Sequence, residues 1–373
     1  MTPQELRADI PGLHDATYLN YGAHGPSPRS VVDASTSFLE RHEYQAATND
    51  PYDVAFETYE RVRERIAAFV GSDPDEIALT ESTTDGINRV ASAIDWEPGD
   101  VVVRTDVEHP AGILPWKRLE RKGVEVRVVE TDRGRIDVDE FADAVTDARL
   151  VCFSTITWTH GTQLPVRELV EIANDAGAFT LVDAVQSPGQ RRMDVTEWGA
   201  DAVAAAGHKW LLGPWGAGFL YVDAATATEL IPGSIGYRSV TTPTASKIEY
   251  KQGAKRFEVG STTPAAHVGL VEALDVIEEM DFETIESRIE SLTDRLKSGL
   301  PDQRLLNPTA YESGLVTVAV ADPAMTVERF EQDGIVVRWL PFPEAVRVSV
   351  HAVSTEREVD QVVDRLSGKG TPG

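Results

Sequence analysis

Cysteine is almost absent from the chain, lysine is scarce, and no long apolar run occurs. Cys152 is the single cysteine in 373 residues, which excludes an internal disulfide. It lies in the apolar run Leu150-Val151-Cys152-Phe153 and reads as a small core residue. No apolar stretch reaches the roughly 18 residues needed to span a bilayer. The N-terminus lacks the basic and apolar blocks of a signal peptide, so a cytoplasmic protein with no membrane partner is expected. The eight histidines show no metal-ligand spacing, so no metal is expected, and no Gly-x-Ser-x-Gly elbow is present. Neither a zinc site nor a serine hydrolase is supported. Basic charge is also short: 35 Lys and Arg face 61 Asp and Glu, for a formal charge of −26. Such a field repels polyanions, which argues against nucleic acid as a partner. Only eight of the 35 basic residues are lysines. Excess carboxylate with little lysine suggests a halophilic protein, whose self-repulsion abundant cations screen.

What is present fits an α/β protein. The length allows two domains, and 42% hydrophobic content suits a folded chain. From about residue 55 to 225, strand-like runs (77–79, 101–103, 125–129, 149–154, 178–183, 202–205, 218–222) alternate with helical patterns (84–94, 114–122, 138–145, 166–176). That alternation predicts a mostly parallel sheet covered on both faces, with ligands gathering beyond the carboxyl ends of its strands. After about residue 260 one long helical stretch, 265 to about 300, leads to short strands at 315–320, 335–338 and 346–350 and a closing helix at 356–366. The expected division is a large domain over 16–258 and a smaller C-terminal α/β domain over 259–373. Residues 1–15 form an arm packing with the latter, and the tail 368–373 is expected to fray. No internal repeat is found.

The chemistry concentrates at Asp183, which closes the run 178–182, and at Lys209, 26 residues on in Ala206-Gly207-His208-Lys209-Trp210. A lysine amine can form a Schiff base with pyridoxal 5′-phosphate, and a buried carboxylate can keep the cofactor's pyridine nitrogen protonated. A surface lysine after a turn is the plainer alternative. Thr83 and Thr84, in Glu81-Ser82-Thr83-Thr84-Asp85-Gly86, open a helix where free N–H groups suit a phosphate, although Ser82 or Thr83 reads equally as an N-cap. His109 follows a strand end and can stack on a flat ring or move protons, or else be a hydrogen-bonded loop residue. Gln186, three residues after Asp183, can donate to a cofactor oxygen. Arg347, in a short β-like run, suits a substrate carboxylate or simply faces solvent. Ser261 lies at the domain junction. The glycine-rich run 213–218 precedes a strand rather than a helix, so it reads as a turn beside the lysine loop and not as a nucleotide loop.

Together, from Tyr18-Leu19-Asn20-Tyr21-Gly22 to Arg347, these segments resemble the class V aminotransferase family of fold-type I pyridoxal phosphate enzymes, in particular its cysteine desulfurase, selenocysteine lyase and isopenicillin N epimerase-like branches. The resemblance implies a fold-type I transferase architecture. Lys209 would be the Schiff-base lysine, Asp183 the pyridinium partner, His109 the ring-stacking group and Gln186 the contact to the cofactor oxygen. Thr83, Thr84 and His208 would hold the phosphate, with Ser261 from a second subunit of a homodimer that shares its active sites. Arg347 would take the carboxylate of a small amino acid, with Asn20 and Trp158 bordering the substrate. Three departures stand out: the stretch 337–345 lacks the desulfurase cysteine, Trp158 replaces a substrate-binding asparagine, and Ala206 replaces a frequent serine. The missing cysteine argues against persulfide formation on the enzyme. Transamination is the first expectation, with epimerase-like or β-lyase chemistry as the alternative. The remaining rivals are a non-catalytic fold-type I protein and an accessory protein of sulfur transfer.

Overall fold

The computed structural model describes residues 1–367; the tail 368–373, expected to fray, lies outside them. A seven-stranded sheet runs in the order Ile77–Thr80, Gly218–Val222, Ala202–Ala206, Phe179–Asp183, Leu150–Ser154, Val101–Thr105, Glu125–Val129. All neighbours are parallel except Gly218–Val222, which is antiparallel to both of its partners. Strand residues point alternately to the two faces. Leu150 and Cys152 accordingly join one core, and Val151 and Phe153 the other. Apart from the edge strand Glu125–Val129, which is largely exposed or half-buried, the strands are buried on both faces, which explains why they read as apolar runs rather than alternating ones.

The helix Thr83–Ala93 lies close on the central strands because the facing residues are small: a Cβ added at Gly86 would sit 3.2 Å from the Ala204 methyl. On the opposite face pack the helices Pro51–Val70 and Val166–Asp175. Pro51–Val70 and its neighbour Arg29–Tyr44 precede the first element legible in the sequence, the strand-like run 77–79. The predicted long helix after 265 is in fact two, Ala265–Met280 and Phe282–Ser298. The break is Asp281, whose φ of 65° no continuous right-handed helix allows. Ile335–Val336 pairs with Thr17–Tyr18, while Arg338–Pro341 joins Leu315–Val318 and Glu344–Ser349 in an antiparallel sheet. The expected strand 335–338 is therefore split between two sheets.

A third core, built on Leu292, Leu296, Val316, Val346 and Val359, lies under that sheet. Leu270, Leu274 and Ile277 belong instead to the core of the large sheet, so residue 259 falls ahead of the point where one core gives way to the other. The N-terminal arm meets both regions. Leu6, Ile10 and Leu13 enter the large core, while Arg7 donates to the Val353 carbonyl at 3.0 Å and pairs with Glu358 at 2.8 Å. No helix among the described residues is long and apolar enough to cross a membrane.

Candidate active site

A cavity of about 550 Å³ opens at the carboxyl ends of the parallel strands. It brings together Asn20, Thr83, Thr84, His109, Trp158, Asp183, Gln186, His208, Lys209 and Arg347. Ser261 is not among them. It is exposed beside a separate crevice lined by Tyr52, Phe56 and Tyr59, where its hydroxyl meets that of Tyr237.

Asp183 ends its strand fully enclosed, with one oxygen accepting from Val185 N at 3.0 Å. Burial raises its pKa, and Lys209 together with the Val185 amide pulls it back. The Lys209 amine faces the cavity floor, and burial lowers its pKa to about 8. Asp183 opposes that shift, while Arg347 and Arg338 assist it. The loop carrying the amine is held on both sides. Trp210 donates to Gln186 Oε1 at 2.7 Å, and its carbonyl contacts His351 Nε2 at 3.0 Å. Gly207 N donates to Ala217 O at 2.9 Å, so the glycine-rich run does close on the lysine loop. Gln186 in turn gives one amide N–H to Gly22 O at 3.0 Å, which leaves a second free.

His109 sits past the strand Val101–Thr105 and accepts from Ala111 N through Nδ1 at 3.2 Å. Burial, with Lys209 and the two arginines, lowers its pKa to about 4, so the ring is neutral at pH 7 and carries its proton on Nε2. Its ring and the Trp158 indole stand nearly perpendicular, 83° apart in plane, with centroids 5.4 Å apart. Next to it Glu108 is buried and accepts from Thr105 Oγ1 and from both N and Oγ of Ser154. At the helix mouth the capping question is resolved. Ser82 is the cap, accepting from Asp85 N at 3.1 Å, and the buried Thr83 hydroxyl has no protein partner.

Arg347 is buried and makes one hydrogen bond, from Nη1 to Trp158 O at 2.9 Å, while its Nε has no partner. Burial and then Arg338 lower its pKa to about 9. Neither arginine forms an ion pair among the described residues. A buried guanidinium without a counter-ion is costly unless a ligand brings the anion. Other unpartnered buried atoms are Asn20 Oδ1, His24 Nδ1 and Trp158 Nε1. Three further residues of the cavity wall, His24, Trp215 and Arg338, escaped sequence reasoning. Arg338 was traceable in principle, because Arg338 and Arg347 are cross-strand partners in a hairpin.

The fold and this lysine–carboxylate pair define a fold-type I pyridoxal phosphate enzyme, and the unsatisfied polar groups of the cavity fit that cofactor. The chain belongs to the class-V aminotransferase family, whose model matches residues 17–362. It is 36% identical over 302 residues to a probable cysteine desulfurase of Methanothermobacter thermautotrophicus, covering 79% of this chain and 75% of the relative. A probable cysteine desulfurase of Halobacterium salinarum is 31% identical, with 96% and 92% covered. Among solved structures, the complex of the cystine C–S lyase C-DES with its product cysteine persulfide superposes with a TM-score of 0.90 at 27% identity, covering 96% of this chain and 99% of that one. These relatives favour the lyase alternative over the transamination put first from the sequence.

Proposed function

We propose that this protein is a pyridoxal phosphate-dependent β-lyase that cleaves the Cβ–S bond of a small sulfur-bearing α-amino acid and releases the sulfur to solution. The observation that carries this reading is a complete lysine–aspartate–arginine pocket with no reachable thiol. Cys152 lies in the sheet core with no exposure, and the stretch before Arg347 is a hairpin, Arg338–Pro341 to Glu344–Ser349, with no cysteine.

The bound cofactor supplies an electron sink for the carbanion formed at Cα. Lys209, with its amine neutral above about pH 8, takes the Cα proton on Nζ. The Cα electron pair becomes the Cα=Cβ bond as the Cβ–S bond breaks, and the pair of that broken bond leaves with sulfur as a thiolate or hydropersulfide anion. The remaining 2-aminoacrylate takes up water and yields pyruvate and ammonia, with no net redox change. Asp183 holds the pyridinium proton and Arg347 the substrate carboxylate. His109, whose acceptor nitrogen is already engaged by Ala111, would pack against the cofactor ring rather than carry a proton. Arg338, beside Arg347 and unpaired, favours a substrate with a second carboxylate, as in a disulfide of two amino acids.

Incubation with L-cystine, L-cysteine and S-substituted cysteines, scored for pyruvate, ammonia and persulfide, tests the reading. Pyruvate is expected from wild type and from Cys152→Ser, and none from Lys209→Ala. Conversion of the bound cofactor to its amine form, with keto-acid release and no sulfur product, would restore transamination.

A further inference from the structure

The backbone of residues 22–25 runs from the substrate anchor to the lysine loop. A Cβ at Gly22 would stand 3.1 Å from Arg347 Cζ, and one at Gly25 would stand 2.1 Å from the Lys209 carbonyl oxygen. His24 therefore lies at the end of the cavity away from Arg347, on the side of His208. There three flat side chains pack together. The His208 and Trp215 rings are 4.7 Å apart at 27°, His24 and Trp215 are 5.5 Å apart at 37°, and His24 and His208 are 6.3 Å apart at 22°. The position of His24 is fixed by its own backbone. Its N–H donates to Asn20 O at 3.2 Å, its carbonyl accepts from Tyr18 OH at 2.6 Å, and Gly25 N donates to His208 O at 2.8 Å.

In this ordered setting His24 Nδ1 is buried and has no hydrogen-bond partner. Thr83 Oγ1, in the same cavity wall, is unsatisfied in the same way. A buried polar atom left unpaired costs about 1–3 kcal/mol, and His24 Nδ1 and Thr83 Oγ1, like Asn20 Oδ1, Trp158 Nε1 and Arg347 Nε on the same cavity, point to a ligand that satisfies them. Thr83 opens an eleven-residue helix whose free N–H groups favour an anion. The only carboxylate among the cavity's lining residues is Asp183, which is engaged by the Val185 amide and by Lys209. The ligand that fits this end is an oxyanion with several acceptor oxygens.

We propose that His24 donates from its imidazole to the cofactor's 5′-phosphate and is a phosphate ligand of this chain in its own right. Because the ring is already stacked and its backbone tied, binding orders little that was mobile. Burial lowers the His24 pKa while the His208 backbone raises it, and a neutral ring donates from Nδ1 in the tautomer that carries its proton there.

The apoprotein can be titrated with 4′-deoxypyridoxine 5′-phosphate and with 4′-deoxypyridoxine. Neither carries the aldehyde that joins Lys209, and they differ only in the phosphate. His24→Phe keeps a flat ring against Trp215 and His208 but has no donor, while His24→Asn keeps a donor near the Nδ1 position. The expected result is a loss of about 10- to 100-fold for the phosphorylated ligand in His24→Phe. The unphosphorylated ligand should change by less than roughly twofold, and His24→Asn should recover most of the loss. Equal losses for both ligands in His24→Phe, or no loss for either, would overturn the assignment.

Discussion

Two buried carboxylates stand behind the lysine, and burial acts on both in the same direction. Asp183 is drawn back toward its charged form by Lys209 and the Val185 amide. Glu108 has no cation beside it. Burial, aided by the charge of Asp183, raises its pKa to about 7 against hydrogen bonds from Ser154 and Thr105 that lower it only in part. An unfolded glutamate ionises near its ordinary value of about 4.5, so between that pH and about 7 the folded chain retains a proton that the unfolded chain has lost. This group's contribution to stability is therefore full below about pH 4.5 and declines as pH rises through 7. Glu108→Gln removes the titration while keeping the shape. Urea midpoints of both apoproteins at pH 5 and pH 8 should show wild type losing ground to the variant at the higher pH. Parallel behaviour of the two would mean that Glu108 does not titrate in this window. The comparison must be differential because 61 acidic residues titrate in the background.

At the scale of elements, the site depends on close backbone approach at positions that carry no catalytic side chain. Gly25 packs so tightly on the lysine loop that an added methyl would lie 2.1 Å from Lys209 O and 2.7 Å from Leu212 Cδ2. Backbone on one side cannot yield as a flexible side chain can. Gly25→Ala should therefore cost about 1–3 kcal/mol of stability and, by shifting the loop, slow the uptake of cofactor by the apoprotein. Normal uptake with an unchanged unfolding midpoint would show that the segment relaxes freely. None of this was legible in the sequence, where a glycine looks the same whether it lies in a loose turn or under a carbonyl. The inner parallel strands were legible because burial on both faces makes them apolar runs, and Asp183 and Lys209 stood out because they flank such runs. The helices Arg29–Tyr44 and Pro51–Val70 were missed because their exposed faces carry aromatic and aliphatic residues, among them Leu39, Tyr44, Tyr52 and Phe56, which blur the apolar stripe. His24 was missed for a different reason: it lies in a segment remote in sequence from the lysine, and only the tertiary fold brings it to the cavity.

Most of the molecule's charged residues lie at the surface, and there two effects of salt oppose each other. Exposed ion pairs such as Arg295–Asp360 and Arg65–Asp275 weaken as ions screen them. Pairs of that kind contribute at most about 1 kcal/mol each. Against them stands a formal charge of −26, the acidic residues that no basic residue offsets. Their mutual repulsion destabilises the compact state and is relieved by the same screening. Buried pairs such as Arg63–Glu258, at 2.5 Å and enclosed, are out of reach of the salt. Repulsion should dominate, so the unfolding temperature should rise from 0.1 M to about 1 M KCl, where the Debye length falls to about 3 Å, and then level off. Preferential exclusion of solute would instead continue to stabilise at higher concentration and would appear equally with sucrose. A rise that saturates with KCl and is absent with sucrose assigns the effect to charge. A flat or falling profile in KCl would show that the acidic surface does not strain the fold, and the case for a halophilic protein would fall with it.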